Sequence, residues 1–190
     1  MSNDVIHPDY AFIEQLQREG QFLAEACFQC RKCTSGCPVS FAMDLFPDEV
    51  IRMVILGQKE KVLKCKTIWI CAACETCTTR CPNEVKIAEL MDHLKEMAIG
   101  EKVPCPVPDV LTLHETFLGN VKKHGRVFES TLLPVYLLKS GRIKRKLKDG
   151  SWMAEARLGW KMFIKGRMSV FPRSIKGKKE LSRNLRTPIR

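Results

Sequence analysis

Cys27, Cys30, Cys33 and Cys37, followed by Pro38, repeat the spacing of Cys71, Cys74, Cys77 and Cys81, followed by Pro82. Thiols at i, i+3, i+6 and i+10 with proline next point to iron–sulfur chemistry. Three closely spaced thiolates wrap three irons of a cube, and the fourth iron takes its ligand from elsewhere; where two such runs occur, the fourth cysteine of each serves the other cluster. The repeat therefore predicts two [4Fe–4S] clusters. One would be held by Cys27, Cys30, Cys33 and Cys81, the other by Cys71, Cys74, Cys77 and Cys37. Tetrahedral zinc is the competing reading of any CxxC pair, although four-cysteine zinc sites combine two pairs rather than runs of four closed by proline. A disulfide framework fits less well, because the N-terminus does not resemble a signal peptide and a reducing compartment disfavours such bonds. A cytoplasmic location is expected. Cys65 and Cys105 fall outside the pattern and are left unassigned, Cys65 reading as a small buried apolar residue and Cys105 as a free thiol.

These thiols must be positioned by a chain of 190 residues, 45% of them hydrophobic, enough for one compact domain with extensions. No run of 18 apolar residues exists, so no transmembrane span is expected, and peripheral membrane contact stays open. The net charge of +11 is unevenly placed: residues 1–138 hold 15 Lys/Arg against 18 Asp/Glu, residues 139–190 hold 17 against 3. Such a basic segment suits nucleic acid, anionic lipid or an acidic protein, and composition alone does not choose.

Residues 10–26 alternate apolar and charged positions at helical spacing, with Gly20 as a break, which predicts one or two short helices with Phe12, Ile13, Leu16, Phe22 and Leu23 in the core. Pro47 suits a first helical turn, Asp48 and Glu49 its positive end, and Val50, Ile51, Val54 and Ile55 its apolar face before Gly57. A further helix is expected around Glu60–Lys66, then an apolar approach through Ile68, Trp69 and Ile70, with Trp69 shielding a cluster or simply filling the core. After Pro82, Asn83 reads as an N-cap for a helix carrying Ile87, Leu90, Met91, Leu94 and Ala98 to Gly100. His93 reads as an exposed residue of that helix. No alternating strands are visible, so the cluster domain is expected to be all-α over residues 1–103. Pro104-Cys105-Pro106-Val107-Pro108 marks the boundary. Residues 104–190 form a C-terminal extension with short helices at Val110–Lys122 and Leu132–Leu138, Pro134 interrupting or starting the latter. Trp152, Ala156, Trp160 and Phe163 or Ile164 share one face of a further helix, and residues 173–190 are expected to be extended.

With both CxxCxxCxxxCP runs, the intervening helix and the basic extension in hand, the chain resembles the heterodisulfide reductase C-subunit family, within a wider alpha-helical ferredoxin group. The resemblance covers about residues 20–100 and implies an all-helical fold in which the eight cysteines are the cluster ligands. It also implies an electron-relay subunit between a flavin-containing subunit and a subunit with CCG-type motifs that acts on a disulfide. This chain has neither a CCG sequence nor a GxGxxG fingerprint, so a non-catalytic role in an oxidoreductase complex is expected, with no catalytic residue assigned. Arg31, Lys32, Lys64, Lys66 and Arg80 lie near the motifs and are candidates for raising a potential or attracting an acidic partner. Two readings compete: the iron–sulfur subunit of another anaerobic respiratory dehydrogenase, and a nucleic-acid-binding redox sensor. No recognised nucleic-acid-binding motif supports the second, and no nucleic-acid partner is expected.

Overall fold

The computed structural model describes residues 7–150, 152–166, 172 and 175–184, and among these it forms helices and no strands. Contacts divide the chain into two units, residues 1–107 and 108–189.

The first unit begins with α1 (Tyr10–Glu19), where Asp9 caps the helix by accepting from the Phe12 N–H at 3.0 Å. Gly20 ends it, and a single 3-10 turn, Ala24–Ala26, delivers the chain to Cys27. Phe12, Leu16 and Phe22 are buried as their spacing predicts, but Leu23 is 51% exposed and sits in the left-handed region at φ 54°. Each cysteine run contains one helical turn, α2 (Lys32–Ser35) in the first and α6 (Thr76–Thr79) in the second. Between the runs lie α3 (Pro47–Ile55), α4 (Lys59–Lys64) and α5 (Thr67–Ile70).

Helix α3 has the expected form. Pro47 opens it, the Glu49 carboxylate accepts from the Phe46 N–H at 2.8 Å, and Val50, Ile51 and Val54 are buried. Gly57 follows at φ +63°, with its carbonyl accepting from the Asp9 N–H at 3.0 Å; a Cβ there would lie 2.7 Å from that nitrogen. Only glycine fits this turn.

Helix α7 (Ile87–Gly100) is the hub. Its Ile87, Ala88, Leu90, Met91, Leu94, Met97 and Ala98 are buried, and it packs on α4, α5 and α6. It starts at Ile87 with Lys86 as cap, so Asn83 is not the cap its position suggests. The Asn83 amide instead donates to the carbonyl of Ala26, satisfying a loop carbonyl rather than a helix terminus. His93 is only 20% exposed: its imidazole lies 2.9 Å from the Glu19 carboxylate and 5.3 Å, ring to ring, from Phe22, and so joins α7 to the end of α1.

In the second unit, α8 (Pro108–His124), α9 (Glu129–Lys139), α10 (Arg142–Asp149), α11 (Trp152–Ile164) and α12 (Lys178–Asn184) follow in order. The buried Asn120 amide fixes the α8–α9 turn, donating to the Phe128 carbonyl at 3.2 Å and to Thr131 at 3.0 Å, and accepting from the Phe128 N–H at 2.7 Å. Pro134 neither starts nor ends α9, which continues past it at the loss of one helical hydrogen bond. Helix α12 lies in the stretch expected to be extended and packs on α8; the rest of that expectation, at 173–174 and 185–190, lies outside the described residues. Among the described residues, no helix is long and apolar enough to cross a membrane.

A carboxylate between the two cysteine runs fixes the helix that leads into the second. Asp44 accepts from the Lys66 N–H at 2.8 Å, the Thr67 N–H at 3.1 Å and the Thr67 hydroxyl at 2.9 Å, capping the helix that ends at Cys71. Its partial burial disfavours the charge, but these donors outweigh that and hold its pKa below the ordinary carboxylate value. A depressed carboxylate contributes stability above its unfolded pKa of about 3.9 and loses it as pH falls through the lower folded value. Asp44→Ala is expected to cost ~1–2 kcal/mol at neutral pH. Amide hydrogen exchange should show faster opening at Lys66 and Thr67, and the gap between variant and wild type should close only in acid below the ordinary carboxylate range.

Candidate metal centre

Bringing three thiols, each three residues apart, around one point requires sharp turns between them. In the first run the backbone makes them at Gln29 (φ 60°) and Arg31 (φ 62°); in the second, at Ala73 (φ 48°) and Glu75 (φ 58°). These are the same two positions of the repeat, on either side of the second cysteine. Left-handed backbone at a non-glycine residue costs on the order of 1 kcal/mol or more, and persists only where something over-determines it. Alternation of left- and right-handed residues also turns successive N–H groups to one side, the geometry that binds anions, including iron–sulfur sites.

Threonines then tie each run to the helix that follows. The Thr34 hydroxyl lies 3.5 Å from the N–H of Asp48, the second residue of α3, and also donates to the Asp48 carboxylate. The equivalent Thr78 hydroxyl accepts from the N–H of Ala88, the second residue of α7, at 3.1 Å. In both cases a cysteine-run side chain satisfies a helix-terminal donor that has no intrahelical partner. Helices α2 and α6 pack together, and Arg80 lies over Gly36, where a Cβ would clash with its guanidinium.

This interlocking gathers the thiols across the runs. One cavity is lined by Cys37 together with Cys71, Cys74 and Cys77, and closed by the apolar Val39, Met43, Pro47, Ala72, Ile87 and Met91. Four sulfurs against a mostly apolar wall suit a [4Fe–4S] cluster as a donor set. On the other side, Cys27 lies near enough to Cys33 for its charge to add to the rise of the Cys33 pKa. The segment after Cys81 is held there by the Asn83 bond to Ala26, the residue before Cys27, and by the Lys86 N–H donating to the Phe22 carbonyl at 3.1 Å. Cys33 is buried, Cys27 and Cys81 are partly buried, and Cys30 and Cys74 are exposed, so each run shows solvent its second cysteine. Among the described residues, no three His, Cys, Asp or Glu side chains converge on one point as they would around a single ion.

The thiols are not equally ready to ionise. Burial pushes Cys77 up to about 11, with the neighbouring Cys71 charge adding to it. Burial likewise raises Cys71, against the Ala73 N–H and the positive charge of Lys95, and raises Cys33, where the Thr34 hydroxyl and N–H oppose it and Asp48 adds to it. The exposed Cys74 is lowered, first by the Thr76 hydroxyl 3.4 Å away and then by the Thr76 N–H. Buried thiols of this kind deprotonate when a metal supplies the compensating charge.

Cys65 is buried and Cys105 partly so, both raised mainly by burial, and neither lines the cavity. Trp69 is buried, and its indole N–H has no partner among the described residues. Of the basic residues near the motifs, Lys64 is exposed and pairs with Glu60, while Arg31 reaches the Asp48 carboxylate at 3.5 Å. Two charged groups outside that set act on the thiols: Asp48, with only 5% of its side chain exposed, raises Cys33, and Lys95, whose ammonium donates to the Cys71 carbonyl at 3.2 Å, opposes the rise at Cys71.

Comparison with known proteins points the same way. Residues 23–85 match the family model described as a 4Fe-4S dicluster domain. Among curated proteins, the chain is 34% identical over 83 residues to the C-subunit of the H(2):CoB-CoM heterodisulfide,ferredoxin reductase of Methanothermobacter marburgensis, covering 44% of this chain and 45% of that protein. It is 40% identical over 74 residues to the second iron-sulfur C-subunit of the CoB--CoM heterodisulfide reductase of Methanocaldococcus jannaschii, covering 39% of each. It is 30% identical over 99 residues to the iron-sulfur C-subunit of the CoB--CoM heterodisulfide reductase of Methanopyrus kandleri, covering 49% of this chain and 52% of that one. The chain thus spans about half the length, or less, of these relatives.

The left-handed turns give a direct test. Ala73 is exposed, so enlarging it meets no packing. Ala73→Val places a β-branched residue at φ 48° and is expected to cost a further ~1–2 kcal/mol, read as a lower thermal midpoint, while Ala73→Gly stays within about 1 kcal/mol of wild type.

Proposed function

We propose, from the 4Fe-4S dicluster match of residues 23–85 and the likeness to heterodisulfide reductase C-subunits, that the chain is an electron-relay subunit of a heterodisulfide-reductase-like complex. Its ligands are Cys27, Cys30, Cys33 and Cys81 for one [4Fe–4S] cluster and Cys71, Cys74, Cys77 and Cys37 for a second. The observation that carries this reading is the cavity in which Cys37 of the first run joins the three leading cysteines of the second. Clusters bound there supply one-electron oxidation and reduction. The protein's part is to hold the thiols, exclude water with Met43, Ile87 and Met91, and leave Cys30 and Cys74 at the surface, where a partner's redox centre can approach.

The partners are a flavin-containing subunit on one side and a CCG-motif subunit on the other, since this chain carries neither fingerprint. Residues 1–103 are the cluster domain, and residues 104–190 are the docking extension. What supports docking is the surface of α11: Trp152, Met153, Trp160, Phe163 and Ile164 are each at least 45% exposed, in a segment that carries 17 basic against 3 acidic residues from position 139 on. Aromatic anchors hold an interface together, and the surrounding charge speeds encounter with an acidic surface.

Anaerobically purified protein is expected to contain about eight irons and eight acid-labile sulfides per chain; zinc without sulfide would contradict the assignment. Cys81→Ser should disturb the cluster of Cys27, Cys30 and Cys33, seen as loss of one set of electron-paramagnetic-resonance (EPR) signals. Loss confined to the cluster of the Cys71 run would mean uncrossed ligation.

Docking is tested separately. Truncation after Ser140, and independently Trp160→Ala at a residue 65% exposed, should leave iron content unchanged and release the chain from its partner subunits in co-purification. Unchanged assembly with lost binding to anionic liposomes would assign the segment to a membrane surface instead.

A further inference from the structure

The two cysteine runs repeat each other in spacing, in left-handed turns and in threonine tethers, but the charges packed against them do not repeat. At the helix position where Thr34 lands, the first site has Asp48; where Thr78 lands, the second has Ala88. The Asp48 carboxylate is 5% exposed, and its cationic partner Arg31, at 3.5 Å, is 78% exposed. At the second site the order is reversed. Lys95 is 13% exposed and donates to the Cys71 carbonyl at 3.2 Å, while its anionic partner Asp92, at 2.9 Å, is 52% exposed.

Each pair is formally neutral, yet its two members do not act equally. A charge in water is screened within the solvent, whereas one inside the protein acts through a lower effective dielectric. The Cys27, Cys30, Cys33 site therefore feels mainly the anion, and the Cys71, Cys74, Cys77 site mainly the cation. The first turn of α7 adds to this, because Ile87 and Ala88 line the second cavity and bring the positive end of that helix to it. Arg80 does not separate the sites: it precedes Cys81 in sequence and covers Gly36, which precedes Cys37.

We propose that Asp48 and Lys95 are positioning residues that set the two sites at unequal reduction potentials, making the site of Cys71, Cys74, Cys77 and Cys37 the more easily reduced. The physical basis is that an added electron is stabilised by a nearby buried cation and opposed by a nearby buried anion. This inference rests on both sites holding [4Fe–4S] clusters, and it gives the relay an internal downhill direction, from the Cys27 side to the Cys71 side.

The test is an anaerobic redox titration of the full chain followed by EPR, with iron and sulfide measured on every sample. Lys95→Gln should move the higher midpoint down, by about a tenfold loss of reduced site at fixed potential, or ~59 mV for one electron, and leave the lower midpoint in place. Lys95→Arg should restore it. Asp48→Asn, which keeps an oxygen for Thr34, should move the lower midpoint up. The inference is overturned if Lys95→Gln shifts the lower midpoint, or if neither variant shifts a midpoint while iron and sulfide stay full. Should Asp48→Asn fail to hold its clusters, the Lys95 pair of variants decides alone. Wild-type protein with iron and sulfide for fewer than two clusters would overturn the assignment beneath, and this inference with it.

Discussion

Three side chains spaced three residues apart on a regular helix form a stripe along one face, and wrapping them around a shared volume instead takes sharp backbone turns between them. The chain does this twice, at Gln29 and Arg31 and again at Ala73 and Glu75, without using glycine at any of the four positions. The cost, on the order of 1 kcal/mol or more at each, explains why the surrounding structure is so closely tied to these loops. Thr34 and Thr78 join the runs to the first turns of α3 and α7, Asp44 caps the short helix that enters the second run, and Asn83 returns the chain to the residue before Cys27. The core of the first unit is tied to this arrangement through α7, which begins at one tether and packs on α4, α5 and α6.

The same arrangement makes the two sites chemically unlike. Repetition of spacing fixes which thiols meet; it does not fix what lies behind them. In the first site a buried carboxylate stands where the second has an alanine methyl, and the second is backed by a lysine reaching over from the middle of α7. A duplicated loop can therefore hold two groups of the same kind at different energies, using residues outside the duplicated segment.

What could be read from the residues alone was what has a short period. The repeat of eight cysteines is legible because its spacing is local, and α3 and α7 because their apolar residues recur at three and four. The remainder depends on packing. Asn83 has the chemistry of a helix cap and is used as a loop donor, because α7 starts four residues later. His93 lies on the α7 side that meets Phe22 and Glu19, which periodicity within α7 does not reveal. Pro134 is carried inside α9, and Lys178–Asn184 is helical where charge and low apolar content suggest extension. Asp48 was legible as a residue suited to a helix N-terminus but not as a buried charge beside Cys33; Lys95 carried no signal, since only the fold of α7 back onto Cys71 brings it there.

The central claim is that each metal site is built from both runs, three thiols from one and the last thiol of the other. The most direct measurement is anomalous diffraction at the iron edge from anaerobically grown crystals. The account predicts two separate four-iron peaks, one bounded by the sulfurs of Cys27, Cys30, Cys33 and Cys81 and the other by those of Cys71, Cys74, Cys77 and Cys37. Peaks bounded by Cys27 to Cys37 and by Cys71 to Cys81, or single-metal peaks between cysteine pairs, would contradict it.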